Sequence, residues 1–143
     1  MKKLISLQNS YVKSLVLLKE KARSRKASGI FLIEGKREIS LAVRGGYKID
    51  TILFYPKICS EFQARKFSEG AELIEISKDI FQKITYRDTT EGVLAVARFK
   101  DLRLTNLKLN RNPLIIVAEG IEKPGNIGAI LRTADAANID AVI

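Results

Sequence analysis

Five side chains with charged or amide heads, Glu119, Glu122, Lys123, Asn126 and Arg132, lie along one glycine-bearing turn and the residues after it. The turn is entered from the apolar run Leu114 to Ala118, which reads as a short buried strand. Gly120, Pro124, Gly125 and Gly128 then give a loop, because each permits or fixes backbone angles that regular structure avoids. From about Ile127 the composition predicts a helix, with Ala129, Leu131, Ala134, Ala136 and Ala137 as helix formers or small packing residues. Asn126 stands where an N-cap would, and Arg132 lies too far along to belong to the cap. A strand, a glycine turn and a helix N-terminus together make a natural anion site.

Two common phosphate-binding readings fail on the same residues. Gly125-Asn-Ile-Gly128 lacks the G-x-G-x-x-G spacing, and no G-x-x-x-x-G-K-[ST] loop is present. Composition removes further classes. Histidine is absent, which takes away the commonest general base and metal ligand. Cys59 is alone, so neither a disulfide framework nor a cysteine-zinc cluster is expected within one chain, and no metal is expected. Without a histidine to activate it, Cys59 reads as a core or surface thiol. The first residues carry two lysines but no sustained apolar stretch, unlike a signal peptide. No run approaches the length needed to span a bilayer, and a cytoplasmic protein is expected.

The charge of +9 is unevenly placed. Residues 1–48 hold twelve Lys or Arg against Glu20, Glu34 and Glu38, whereas 49–100 and 101–143 each balance to zero. A concentrated basic region is the electrostatic footprint of a polyanion partner. Within it, Ser10 to Lys26 reads as one amphipathic helix with Tyr11, Leu15, Leu18 and Ala22 on its apolar face. Lys19, Arg23 and Lys26 share another face, with Lys21 and Arg25 beside them. Arg23, Arg25 and Lys26 are the first candidates for phosphate contact. An acidic membrane surface fits less well, since the apolar face is small and lacks Trp or Phe.

Downstream the pattern alternates. Strands are expected over Ile30–Glu34, Ile49–Tyr55, Ala71–Ile76 and Val93–Phe99. Helices are expected over Lys36–Arg44, Ile58–Ser68 and, capped by Ser77, up to Ile84. Such alternation predicts an α/β sandwich with helices on both faces of the sheet. Residues 100–112 read as a linker, and Pro113 opens the next strand.

The block Glu119-Gly-Ile-Glu-Lys-Pro-Gly-Asn126-Ile-Gly128-Ala129-Ile-Leu-Arg132-Thr-Ala134 closely resembles motif 1 of the SpoU (TrmH-type) RNA 2′-O-ribose methyltransferases of the SPOUT superfamily. Phe31-Leu-Ile-Glu34-Gly35-Lys36-Arg37-Glu38-Ile39 and Thr90-Glu-Gly92-Val-Leu-Ala95-Val-Ala97 resemble the substrate-binding domain that precedes the catalytic domain in many members, a fold related to kink-turn-binding ribosomal proteins. The resemblance implies an RNA substrate-binding domain over 1–99, a linker over 100–112, and the incomplete first β-α-β part of a knotted methyltransferase domain over 113–143. Lys36 and Arg37, between a strand and a helix, and Arg87 on the loop Tyr86 to Gly92 are then further RNA contacts.

The implied activity is methyl transfer from S-adenosylmethionine to a ribose 2′-hydroxyl, of ribosomal RNA ahead of transfer RNA. By the resemblance Arg132 positions ribose or phosphate and assists deprotonation, Asn126 orients Arg132 or the substrate, and Glu119 is a weaker candidate. A guanidinium holds its proton tightly, so clamping a phosphate suits Arg132 better than acting as base. In the family the later motifs form the knot that holds the cofactor. None of them is recognisable before Ile143, so no cofactor-binding residue is assigned and the chain reads as a fragment, inactive alone. The parent is expected to be a homodimer and the fragment mostly monomeric. A non-catalytic RNA-binding module, using residues 1–99 alone, is the alternative.

Overall fold

Apolar alternation along the central strands builds the larger unit of the protein. The computed structural model describes residues 1–67, 69–87 and 91–143. The expectations that touch Ser68, Asp88, Thr89 and Thr90 lie outside the described residues. The chain divides into two units, Met1–Lys100 and Asp101–Ile143.

The first unit contains β1 (Lys2–Leu4), β2 (Ile30–Glu34), β3 (Ile49–Phe54), β4 (Glu72–Ile76) and β5 (Val93–Arg98), with the helices α1 (Ser10–Glu20), α2 (Ala22–Ser28), α3 (Lys36–Arg44), α4 (Glu61–Arg65) and α5 (Lys78–Ile84). The strands form one mixed sheet in the order β1-β4-β3-β5-β2. The pairs β1/β4 and β3/β4 are parallel, and β5 runs antiparallel to both its neighbours. Side chains of a strand alternate between faces. Leu53, Leu94 and Val96 therefore join Val12, Leu15 and Leu18 of α1 and Ile80, Phe81 and Ile84 of α5. Ile52, Phe54, Val93, Ala95 and Ala97 face the other way, onto Ile39 of α3, Ala64 of α4 and Cys59 in the turn before α4. This is the α/β/α sandwich that the alternation predicts.

The helix starts follow local chemistry. Asn9 Oδ1 accepts from the Tyr11 N–H at 2.9 Å and Ser77 Oγ from the Ile80 N–H at 3.4 Å. Ser60 and Gln63 exchange side-chain and backbone bonds in a capping box, so α4 begins at Glu61 rather than at Ile58. Two other expectations are corrected. Ser10 to Lys26 is not one helix, because Lys21 is extended at φ −119°, ψ 113°. Arg25 Nη1 turns back to donate to the carbonyls of Leu18 at 2.8 Å and Lys19 at 3.2 Å, satisfying the end of α1. The buried face of α1 is accordingly Val12, Leu15 and Leu18, with Tyr11 half-buried and Ala22 exposed. The sheet also has a fifth strand. β1 turns only Leu4 inward and is flanked by ion pairs of Lys2 with Glu72 and Lys3 with Glu75, so it carries no periodic signal.

The second unit holds a 3₁₀ turn at Leu104–Asn106, within the stretch expected to be a linker, and then β6 (Ile115–Ile116), α6 (Pro124–Ala136) and β7 (Ala141–Val142). β6 and β7 pair in parallel over two residues. Asp140 fastens this unit by accepting from Asn110 Nδ2 at 2.6 Å and the Leu114 N–H at 2.9 Å. A two-stranded ladder alone is marginally stable. Amides of β6 should therefore exchange at least a hundredfold faster than those of Ile52 and Leu53 in β3, read by hydrogen exchange. Equal protection would contradict this.

Candidate functional site

In the first unit Lys36 and Arg37 stand where β2 ends and α3 begins, and Arg87 pairs with Glu38 of α3. Gly35, at φ +105°, is the N-cap of α3 and has no side chain to cap it. Glu91 Oε2 fills that role by accepting the Lys36 N–H at 2.5 Å. Glu34 accepts the N–H groups of Tyr86 at 2.6 Å and Arg87 at 3.2 Å, fixing the start of the loop beside α3. Arg87 Nη1 lies 3.9 Å from Glu38, an exposed pair. The Tyr86 hydroxyl donates to the Lys19 carbonyl at 2.7 Å, and Lys19 Nζ stands 5.7 Å from the Tyr86 ring. Tyr86, and with it the start of the loop that carries Arg87, is thereby joined to the end of α1.

Arg23 and Lys26 lie exposed on α2, whereas Arg25 is half-buried and holds α1. Of the carboxylates beside Lys36 and Arg87, Glu34 and Glu91 serve backbone N–H groups and Glu38 faces Arg87. Sequence reasoning missed Tyr86, an exposed aromatic beside Lys19 and Arg87, and the bracing roles of Glu34 and Glu91. Tyr86 stands beside Arg87 in a polar loop, which was its only signal. Burial pushes the Cys59 thiol up from its ordinary range, so this core cysteine is a poor nucleophile.

In the second unit Asn126 is not the N-cap. α6 begins at Pro124, whose fixed φ and missing N–H suit the first helical position, and Lys123 is the cap. Asn126 lies inside the first turn, its own N–H bonded to the Lys123 carbonyl at 2.9 Å. Glu119 lines an open cleft of about 560 Å³ with Ile121, Ala129, Ile130 and Thr133. Asn126 lines an adjoining one of about 350 Å³ with Gly120, Ile121 and Ile130. Arg132 is exposed and lines neither. Its Nη1 lies 3.5 Å from where a Cβ on Gly128 would stand, so the missing side chain lets the guanidinium lie along the first turns of α6. Asn126 and Arg132 are six residues apart, about 120° around the helix. No hydrogen bond joins Glu119, Asn126 and Arg132 among the described residues, and α6 carries Arg132 toward its own N–H-rich start.

Among the described residues no group of three acidic, cysteine or histidine side chains could hold a metal. No described helix is long and apolar enough to cross a membrane.

Residues 9–95 match the family model described as MRM3-like substrate binding domain. The whole chain is 28% identical to the 23S rRNA (guanosine(2553)-2′-O)-methyltransferase RlmP of Bacillus subtilis and spans 54% of its length. A solved RNA 2′-O ribose methyltransferase superposes with a TM-score of 0.79 at 34% identity, over 98% of this chain and 54% of that one. The SpoU methyltransferase AviRb of Streptomyces viridochromogenes, in complex with AdoMet, gives a TM-score of 0.81 at 26% identity, over 94% and 52%. The chain thus spans about half the length of these relatives. With more than half of its residues matched, it belongs to the family of MRM3-like substrate-binding domains, and its relatives are SpoU-type RNA 2′-O-methyltransferases.

Proposed function

We propose that this chain is the RNA-holding half, with the beginning of the catalytic unit, of an S-adenosylmethionine-dependent methyltransferase acting on ribose 2′-hydroxyls of ribosomal RNA. The observation that carries the reading is the presence, in one chain, of the matched domain over 9–95 and the Asn126 to Arg132 motif at the start of α6. Ribosomal RNA is taken over from relatives such as RlmP, and the cofactor from AviRb. On this reading Lys36, Arg37, Arg87, Arg23 and Lys26 hold phosphates, and exposed Tyr86 stacks an unpaired base. Arg132, lying toward the start of α6, clamps a phosphate beside the target ribose, with first-turn N–H groups adding to the anion site. Gly125 has an ordinary φ and open space around it, so nothing among the described residues requires a glycine there; an approaching substrate backbone would.

The described residues do not by themselves fit the cofactor. The cleft beside Glu119 is lined by six apolar residues, Ile116, Val117, Ala118, Ile121, Ala129 and Ile130, and gains polar side chains only from Glu119 and Thr133. Exposed Leu114, Val117 and Leu131 in the same unit, Val117 at 76%, offer apolar surface for a covering partner, in keeping with a whole protein that dimerises through its catalytic half.

The RNA interface is tested by separating two kinds of arginine. Replacing Arg23 and Lys26 by Ala should lower the slope of log affinity against log salt by about 1.4, or 0.7 per phosphate contact on single strands. It should leave the melting temperature unchanged. Arg25→Ala should do the reverse, lowering the melting temperature by roughly 5 °C through loss of its bonds to the end of α1 while leaving the slope intact. An unchanged slope in the first variant assigns those cations to solvent.

A further inference from the structure

We propose that the groove at the far end of α3 is a second RNA-binding site, in which Arg44, Lys48 and Lys66 take backbone phosphates of the strand held at the first interface. The proposal rests on RNA being the partner. α3 ends at Arg44, β3 starts at Ile49 and α4 ends at Arg65, so three separate segments bring these cations to one groove of about 530 Å³. Tyr47, Phe67 and Glu69 also line it. All three cations are exposed, and none is paired with a carboxylate among the described residues, in contrast to Lys2, Lys3 and Arg98. Glu69 is the single acid in the lining among the described residues. Lys100 adds a fourth positive charge, donating to the Gly45 carbonyl at 2.6 Å and standing 5.3 Å from the Tyr47 ring.

The aromatic part of the lining is firm. Phe31 packs edge-on against Tyr47 with ring centroids 5.7 Å apart. Cations flanking aromatic rings are the arrangement that holds single-stranded nucleic acid, with phosphates on the charges and bases on the rings. The volume also falls in the range of ligand pockets, about 300–1,000 Å³.

The position relative to the first interface follows from the sheet. β2 and β3 both run antiparallel to β5, so their C-terminal ends lie together. Lys36 follows the end of β2 and Lys48 precedes the start of β3, which puts these two lysines at opposite ends of the sheet, while α2 with Arg23 and Lys26 leads into the start of β2. Six residues of β3 span about 20 Å. A single strand of several nucleotides would cross that distance. Two bound ends fix its direction as well as its position, which one patch of phosphate contacts does not.

The test uses the whole chain, a fluorescein-labelled oligouridylate and anisotropy across a salt series. The variant R44A/K48A/K66A should bind at least about tenfold more weakly and lower the salt slope by about 2. K13A/K78A/K83A removes three exposed lysines outside the groove and should leave the slope within error. The charge-keeping R44K/K48R/K66R should retain binding, and unchanged melting temperatures should accompany all three. Equal effects of the groove and control variants would overturn the proposal. If R23A/K26A lowers the slope and the groove variant does not, the groove alone is refuted. If neither lowers it, the RNA partner itself is refuted.

Discussion

Gly92→Ala should lower the melting temperature of the first unit by roughly 10 °C or more. Gly92 has φ +75°, and a Cβ there would stand 2.7 Å from Ile58 Cβ and 2.9 Å from the Cys59 nitrogen. The left-handed backbone costs a non-glycine residue about 1–2 kcal/mol. Forcing a methyl group against the turn after β3 adds about 1–3 kcal/mol, because the Cys59 nitrogen is backbone and cannot swing aside. At about 4–8 °C per kcal/mol for a unit of this size, the combined effect is large. It also strikes a junction, since the Gly92 carbonyl accepts the Tyr55 N–H at 2.9 Å and so ties the end of β3 to the start of β5. Gly70 separates the two causes. Its φ is +72° with none of the described residues within 4 Å of a Cβ, so Gly70→Ala should show the backbone cost alone. Thermal unfolding followed by circular dichroism reads both, and equal shifts would contradict the steric part.

The sandwich was legible because period-2 and period-3.6 patterns alternate strongly between Ile30 and Phe99, and because Ser77 and Gly45-Gly46 mark helix limits. What was hidden depends on tertiary partners. β1 exists because β4 offers a free edge, which no local pattern records. The break at Lys21 is stabilised by Arg25 reaching back six and seven residues, so a cation read as a phosphate contact serves as a helix cap. Asn126 was misplaced by three residues because Asn is a common N-cap and Pro124 an equally good first residue; proline, with its fixed φ, won. Charge summed along the sequence located the basic first third. It missed the groove of Arg44, Lys48 and Lys66, because Lys66 lies in a stretch whose charges balance and only folding brings it beside Arg44 and Lys48. Tyr86 and the carboxylates that brace the first interface belong to the same class, being long-range contacts between residues more than fifty apart.

The second large effect concerns Arg132. A positioning cation beside the reacting ribose makes its contribution through geometry, and losing such placement costs about a hundredfold in rate. Arg132 is exposed and hydrogen-bonded to none of the described residues, so its removal should cost the fold little. Rate and stability should therefore separate cleanly. Asn126→Ala, lacking any bond to Arg132, should have a smaller effect on rate than Arg132→Ala.

The most direct measurement is radiolabelled methyl transfer from S-adenosylmethionine to bulk ribosomal RNA by the protein at the full length its relatives have, with and without Arg132→Ala. The account predicts 2′-O-methylated ribose in the product, a loss of a hundredfold or more in the variant, and RNA affinity within a few-fold of the unsubstituted protein. RNA binding with no methyl transfer by the unsubstituted protein would contradict it and leave a non-catalytic RNA-binding module.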